Sequence, residues 1–198
     1  MLKVVPFQHP KVQNVRGADV IEIWFDRFSE EETTKVLKKI KKPFIYKIEQ
    51  KGIETPKIEA LKKATYIDID IETTTAQIKK LKAHNPKLKL IISHHDFKKT
   101  PTDKALQKIS NQMKSKKADI QKIAALAKNF EDSIRMLDFL SKTSKKGQRS
   151  VFLSMGKKGI ITRTTGHLFG NYMSYFALDE DSKSAPGQIT LKEFNSQL

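Results

Sequence analysis

Short β-type runs alternate with amphipathic helical stretches along almost the whole sequence, and this alternation restricts the fold more than any other property of the chain. Strands are predicted over residues 2–7, 19–25, 44–48, 66–71, 89–94, 119–124, 150–154 and 172–177. Helices are predicted over 30–41, 56–63, 74–83, 102–114, 130–142 and 191–197. Strand, helix and strand repeated in this way build a parallel sheet with right-handed crossovers. Eight strands point to an α/β fold, a (β/α)8 TIM barrel, compact because 198 residues lie at the short end of that fold's range. Residues 8–17 are too few, and too broken by Pro10, for a full helix, so a shortened first crossover is expected. An open doubly wound sheet is the alternative architecture. With no internal repeat, linker or low-complexity stretch, residues 1–198 are expected to form one barrel domain.

The two faces of the predicted strands differ in chemistry. In YIDIDIE, Ile67, Ile69 and Ile71 share one face, while Tyr66, Asp68 and Asp70 share the other. In DVIEIWF, Ile21, Ile23 and Phe25 oppose Val20, Glu22 and Trp24. In FIYKI, Phe44, Tyr46 and Ile48 oppose Ile45 and Lys47, and Glu49 follows. In an open sheet with water on one side, the polar set would face solvent. In a barrel the apolar set packs outward on helices, and the polar set points inward near the strand C-termini, where such enzymes keep their sites. Glu22, Lys47, Glu49, Asp68, Asp70, His95 and Lys122 then converge on one cavity, where buried charges need partners of opposite sign.

Two of these residues suggest a reaction. Lys122 lies on one strand face with Ile120 and Ala124. An ammonium among apolar neighbours loses solvation, so its pKa is expected to fall and its free amine to become available at neutral pH. A plain surface lysine is the competing reading. His95 shares a face with Ile91 and Ser93 and sits at a strand end, where a histidine can be structural or can move protons. His94, on the opposite face, is set aside. Asp70 is a candidate to orient His95, or else a structural partner of Lys47. A lysine nucleophile with a histidine beside it is a minimal kit for Schiff-base chemistry on a carbonyl substrate.

Composition narrows the rest. The chain has no cysteine, which excludes disulfides, zinc–thiolate sites and thiol nucleophiles. No apolar run reaches the roughly 18 residues that cross a bilayer, and MLKVVPFQHP has too short an apolar segment for a secretory signal. A cytoplasmic protein without a membrane partner is expected. The net charge of +16 invites a nucleic-acid reading, but the only arginines are Arg16, Arg27, Arg135, Arg149 and Arg163. Sequence readers rely on bidentate arginine, and the lysines here scatter over most helices as a solvated face would. No nucleic-acid partner is therefore expected; a basic field still draws in a small anionic substrate. No Walker loop, GxGxxG, HExxH or GxSxG motif is present. In SMGKKGIITR, Gly156 and Gly159 give a tight turn ahead of Arg163, which either binds a carboxylate or makes a surface ion pair. SAPGQI reads as a Pro-Gly turn after the eighth strand, either a lid over the barrel mouth or a plain connector.

Taken in order, IDID, SHHDFKKTP, ADIQKIA, SMGKKGIITR, GHLFG and SAPGQI resemble type I 3-dehydroquinate dehydratase, the Schiff-base dehydroquinase of the shikimate pathway. Six matches in one order across most of the chain are more specific than any single motif. The resemblance implies a (β/α)8 barrel, in agreement with the strand count. It implies that Lys122 forms the imine with the C3 ketone of 3-dehydroquinate and that His95 is the general acid and base. It assigns Arg163 to the substrate carboxylate, Ser184 and Gln188 to a closing loop, and Met155 to an apolar wall. Glu22 and Glu49 join the substrate-binding set. No metal and no organic cofactor are called for. The implied partner is a small anionic substrate, with a homodimer as one option for the assembly.

The chain also departs from the family's pattern. The second strand usually carries Glu-x-Arg-x-Asp, whereas here Trp24 takes the arginine's place between Glu22 and Asp26. Glu49 stands where the third strand usually ends in an arginine. Glu54 is one candidate for the glutamate that partners the histidine, one residue out of register, and Asp70 is the other. Lys47 and Arg27 are candidates to replace the missing arginines. Two further readings stay open at this point: the same imine chemistry on a different keto acid, and a non-catalytic lysine-rich binding protein on a degenerate barrel.

Overall fold

The structure, a computed structural model, describes residues 1–48 and 56–196. Its strands are β1 (Leu2–Phe7), β2 (Val20–Ile23), β3 (Phe44–Lys47), β4 (Tyr66–Asp70), β5 (Lys89–Asp96), β6 (Ile120–Leu126), β7 (Ser150–Met155) and β8 (Met173–Tyr175). Its helices are α1 (Glu30–Lys39), α2 (Ile58–Lys63), α3 (Thr75–His84), α4 (Asp103–Ser115), α5 (Phe130–Lys145), α6 (Ile160–Thr165) and α7 (Leu191–Asn195). Local chemistry sets several of the helix starts. Ser29, Thr74 and Thr190 each cap a first turn, and Glu32, Gln77 and Glu193 return a bond to the cap's own N–H. Thr102 and Asn129 cap α4 and α5 with side-chain oxygens.

The strands run in the order β7-β6-β5-β4-β3-β2-β1-β8, and every ladder is parallel. The sheet curls until its two ends meet. There Tyr172 N–H donates to Ser150 O at 2.8 Å, and Asn171 Oδ1 accepts from Phe152 N–H at 3.1 Å. This is a nearly closed (β/α)8 barrel and not the open doubly wound alternative. The weak seam lies between β7 and β8, where no ladder forms among the described residues, and not at the shortened first crossover. Residues 8–19 contain no helix, as expected, and bury Val12, Val15 and Ala18 in the same apolar cluster as Leu191 and Phe194 of α7. The α7 helix, which follows β8, approaches this segment at Gly17, whose position lies next to Leu191 and Asn195.

Two separate apolar layers follow from the period of two along each strand. Outward-facing Ile21, Ile23, Phe44, Tyr46, Ile67 and Ile69 pack against helix residues such as Val36, Leu61, Leu81 and Leu106. Inward-facing Val4, Val20, Ile45, Tyr66, Ile91, Ile120, Val151 and Met173 fill the barrel toward the N-terminal ends of its strands. Two residues further along these strands the inward set becomes Glu22, Lys47, Asp68, Ser93 and Lys122, with Leu153 and Tyr175. Charge therefore rests on an apolar floor, and the next step along the strands opens on the mouth.

Candidate active site

Strand register carries six of the polar side chains to one place. Lys122 is only 5% exposed and Asp68 is 0% exposed, on the two strands β6 and β4 that flank β5. Lys122 Nζ donates to Asp68 Oδ2 at 2.7 Å and to Glu22 Oε2 at 3.3 Å. Lys47 Nζ donates to the other oxygen of Asp68 at 2.9 Å and to Ser93 Oγ at 3.2 Å. Ser93 Oγ in turn donates to Ile69 O. The chain Lys47, Asp68, Lys122, Glu22 thus alternates in sign and sums to zero, which makes its burial tolerable. Trp24 Nε1 donates to the second oxygen of Glu22 at 3.1 Å, so both oxygens of that carboxylate are engaged.

These groups floor a cavity of about 390 Å³ at the C-terminal end of the barrel. Its polar lining includes Glu22, Lys47, Asp70, His95, Lys122 and Arg163; Trp24, Phe97, Leu153, Met155 and Tyr175 supply apolar wall. Ser184 and Gln188 close one side. Ser184 donates to Gln188 Oε1 through its backbone N–H at 2.7 Å and its hydroxyl at 3.0 Å. The SAPGQI loop is seated on the turn after β7, where Gly156 N–H donates to Pro186 O at 3.0 Å. Gly187 (φ +75°) lies against that turn, and a Cβ there would stand 2.4 Å from Gly156 O.

Arg163 reaches the cavity by a route the sequence did not announce. After β7 the chain doubles back so closely at Gly159 that a Cβ would lie 2.4 Å from Ser154 O. Thr162 Oγ1 then accepts from Ser154 N–H and donates to Gly159 O, which pins the short α6 to the barrel end. Arg163, the next residue, is 2% exposed. Its Nε has no hydrogen-bond partner, and no carboxylate among the described residues lies within ion-pair distance. Burial pulls its pKa down to about 10. The surface ion-pair reading of Arg163 is excluded by its burial.

The electrostatics correct one expectation. Burial opposes the charge on Lys122, as its apolar neighbours suggest, but Asp68, then Glu22, outweigh it, and its pKa stands well above the ordinary lysine value. The amine is therefore an ammonium in the ligand-free chain. Asp68 is also buried, which disfavours its charge, yet Lys122 and Lys47 hold it below the ordinary carboxylate value. His95 behaves oppositely. Burial, then the charges of Lys47 and Lys122, depress its pKa to about 3, so the imidazole is neutral at physiological pH. The ring stacks on Phe97 at 6.2 Å between centroids and makes no hydrogen bond to a described residue.

Other assignments divide. Asp70 lines the cavity, but its Oδ1 accepts from Glu72 N–H, and Lys47 pairs with Asp68 in its place. Of the two groups suggested to replace the missing arginines, Lys47 lines the cavity. The Arg27 guanidinium lies 4.4 Å from the Trp24 ring centroid and donates to Gln8. Met155 is buried in the wall, as expected. Glu49 and Glu54 lie outside the described residues. Sequence reasoning missed Tyr175, whose ring centroid is 4.0 Å from Lys122 Nζ. The available signal was the two-residue period through β8, which puts Met173 and Tyr175 on one inward face.

The site brings a lysine ammonium held by carboxylates, a neutral imidazole and a buried guanidinium with no carboxylate partner around one cavity. Known proteins place this arrangement in a family. A bifunctional 3-dehydroquinate dehydratase/shikimate dehydrogenase of Arabidopsis thaliana is 31% identical over 194 residues, covering 89% of this chain and 32% of that protein. A 3-dehydroquinate dehydratase of Dehalococcoides mccartyi is 32% identical over 147 residues, 72% of this chain and 65% of its own length. The chain thus spans less than two thirds of the length of these curated relatives. The crystal structure of a type I 3-dehydroquinate dehydratase from Clostridium difficile, with covalently modified comenic acid, superposes with a TM-score of 0.79 at 25% identity, over 98% of this chain and 89% of that one. The family model for type I 3-dehydroquinase matches residues 8–198, and with the barrel and its enclosed lysine in place the chain belongs to the type I 3-dehydroquinase family.

Proposed function

We propose that this chain dehydrates 3-dehydroquinate to 3-dehydroshikimate through an imine on Lys122. The observation that carries the reading is the setting of Lys122, a buried amine fixed between Asp68 and Glu22 and facing a cavity that also holds His95 and Arg163. Arg163, buried without a counterion, would take the substrate carboxylate, where a planar guanidinium can bind bidentately. Ser184 and Gln188 would close over the substrate from one side, with Met155 as wall. The reading extends to a small anionic substrate and a cytoplasmic setting; among the described residues no helix is long and apolar enough to cross a membrane.

The charged state of Lys122 fits this chemistry once protons are counted. Ammonium and ketone give iminium and water: two of the three nitrogen-bound protons leave with the ketone oxygen, and the positive charge stays on Nζ. Asp68 and Glu22 lie within reach to pass those protons. The iminium then acts as an electron sink. Neutral His95 takes the C2 proton, and the C–H electrons flow into the C=N bond to give an enamine. The enamine expels the C1 hydroxyl, which leaves as water with the proton His95 has just acquired. Hydrolysis of the conjugated iminium returns the enone product and the Lys122 ammonium. The sequence is redox-neutral and calls for no metal or organic cofactor.

The test is to mix the chain with 3-dehydroquinate and follow the ultraviolet absorbance of the enone, with borohydride trapping of the imine read by mass spectrometry. Both signals are expected, and both are expected to vanish in Lys122→Ala. Normal turnover in that variant overturns the assignment. A second reading, the same imine on another keto acid, draws on Trp24, which lines the cavity at the family's arginine position and occupies Glu22. It gains if a panel of cyclic and linear keto acids traps more readily than 3-dehydroquinate.

A further inference from the structure

Tyr175 stands in the cavity wall with its ring centroid 4.0 Å from Lys122 Nζ. The ring is 6% exposed, and its hydroxyl is buried without a hydrogen-bond partner. The hydroxyl still lies close enough to Lys122 to interact with its charge, so Tyr175→Phe is needed to separate the hydroxyl from the ring. With Asp68 and Glu22 the ring encloses the nitrogen: two carboxylates supply charge, and the aromatic face supplies its quadrupole without offering a proton acceptor.

We infer that Tyr175 is a positioning residue for the imine reaction, holding Lys122 Nζ through its aromatic face and stabilising the positive charge this nitrogen carries as the ammonium and again as the iminium. The inference rests on the imine reading above. A carboxylate can neutralise the nitrogen by taking its proton; an aromatic face cannot, so it favours every cationic state along the path. In water-free surroundings such a contact is worth roughly two- to thirtyfold in an equilibrium constant. Other charged or titratable groups near the nitrogen come from separate strands and from α6: Glu22, Lys47, Asp68, His95 and Arg163. None of them changes when the Tyr175 ring is altered at constant size.

The experiment uses the full chain with Tyr175→Phe as the parent and phenylalanines of increasing fluorination at the same position. Fluorination weakens the quadrupole and leaves the ring's shape nearly intact. Two readouts are taken. The first needs no substrate: the pH midpoint for acylation of Lys122, followed by peptide mass spectrometry. The second is the fraction of imine trapped by borohydride with 3-dehydroquinate.

Tyr175→Phe removes the hydroxyl, keeps the aromatic face and is the zero point of the series. Along the fluorinated series the acylation midpoint is expected to move to lower pH by a factor of about two to thirty in the proton equilibrium, making the amine more reactive at fixed pH, while trapped imine, which exchanges one cation for another at the same nitrogen, is expected to hold within about twofold. A midpoint that moves with the quadrupole while trapped imine holds separates the role from loss of structure, which would lower trapping as well. A flat series in the acylation midpoint overturns the inference, as does a Tyr175→Phe variant whose midpoint is already displaced as far as that of the most fluorinated one. If the unaltered chain traps no 3-dehydroquinate, the substrate reading fails, and the acylation series still decides the role of the ring.

Discussion

Asp68→Asn is the most demanding test of the charged floor. Asp68 is wholly buried, and its two oxygens receive Lys122 at 2.7 Å and Lys47 at 2.9 Å. The amide keeps the shape and removes the charge, leaving two ammonium groups with one carboxylate, Glu22, at 3.3 Å from Lys122. Breaking a buried pair by removing one partner costs about 3–5 kcal/mol, and a loss of that size is expected at pH 7. The pH dependence adds a second, independent number. Because the folded carboxyl of Asp68 is held below its unfolded value, its contribution is complete above about pH 4 and drains away as pH falls. With an unfolded pKa near 3.9, about 1.3 kcal/mol of it is gone at pH 3. The Asn variant has nothing at this position to titrate, so the gap between the two proteins should narrow by that amount. Urea unfolding at pH 7 and pH 3, followed by circular dichroism, measures both. A loss below about 1 kcal/mol at pH 7, or a gap that stays constant with pH, would refute the alternating-charge account of the barrel interior.

Two further outcomes are expected. His95, depressed to about 3, should show no imidazole titration between pH 5 and pH 8 by NMR, and turnover should have no acid limb from this group in that range; a titration near 6.5 would remove the neutral-base role. Arg163→Met should leave stability unchanged or raise it by about 1 kcal/mol, since a buried charge without a counterion is relieved, while KM for 3-dehydroquinate rises about tenfold or more. Thermal melts and steady-state kinetics on the same preparation check both signs; lost stability with unchanged KM would contradict the reading of Arg163 as an anion site.

Most of the barrel was legible because each strand's chemistry repeats every two residues. Ile67 and Ile69 against Asp68 and Asp70 already separate outer layer from interior. What stayed hidden depended on neighbours far apart in the chain. The pKa of Lys122 was misjudged because its local neighbours, Ile120 and Ala124, are apolar, whereas the carboxylates that dominate it lie 54 and 100 residues away. The helix α6 was missed because IITRTT lacks an amphipathic period and is held by Thr162 bonding back to β7. Tyr175 was passed over although the period through β8 turns it inward with Met173, because the group that gives it a role, Lys122, sits on a different strand.

The seam between the two ends of the sheet bears on how the molecule comes to be made. Pairings from β1 through β7 join strands that follow one another in sequence, so they can accumulate in order as the chain emerges during synthesis. The β1–β8 ladder is different: it joins Leu2 to Met173 and Val4 to Tyr175, and Lys3 Nζ reaches Asn195 Oδ1 across 192 residues. Loop closure over that span is entropically unfavourable until the intervening elements are already compact. The ring therefore closes late, and closure is the event that delivers Tyr175 to Lys122. A nascent or refolding chain with seven strands in place has the helices before β8 and most of its apolar burial yet lacks the Tyr175 face on Lys122, so contact of that face with the lysine reports completion of the ring and recovery of helix does not.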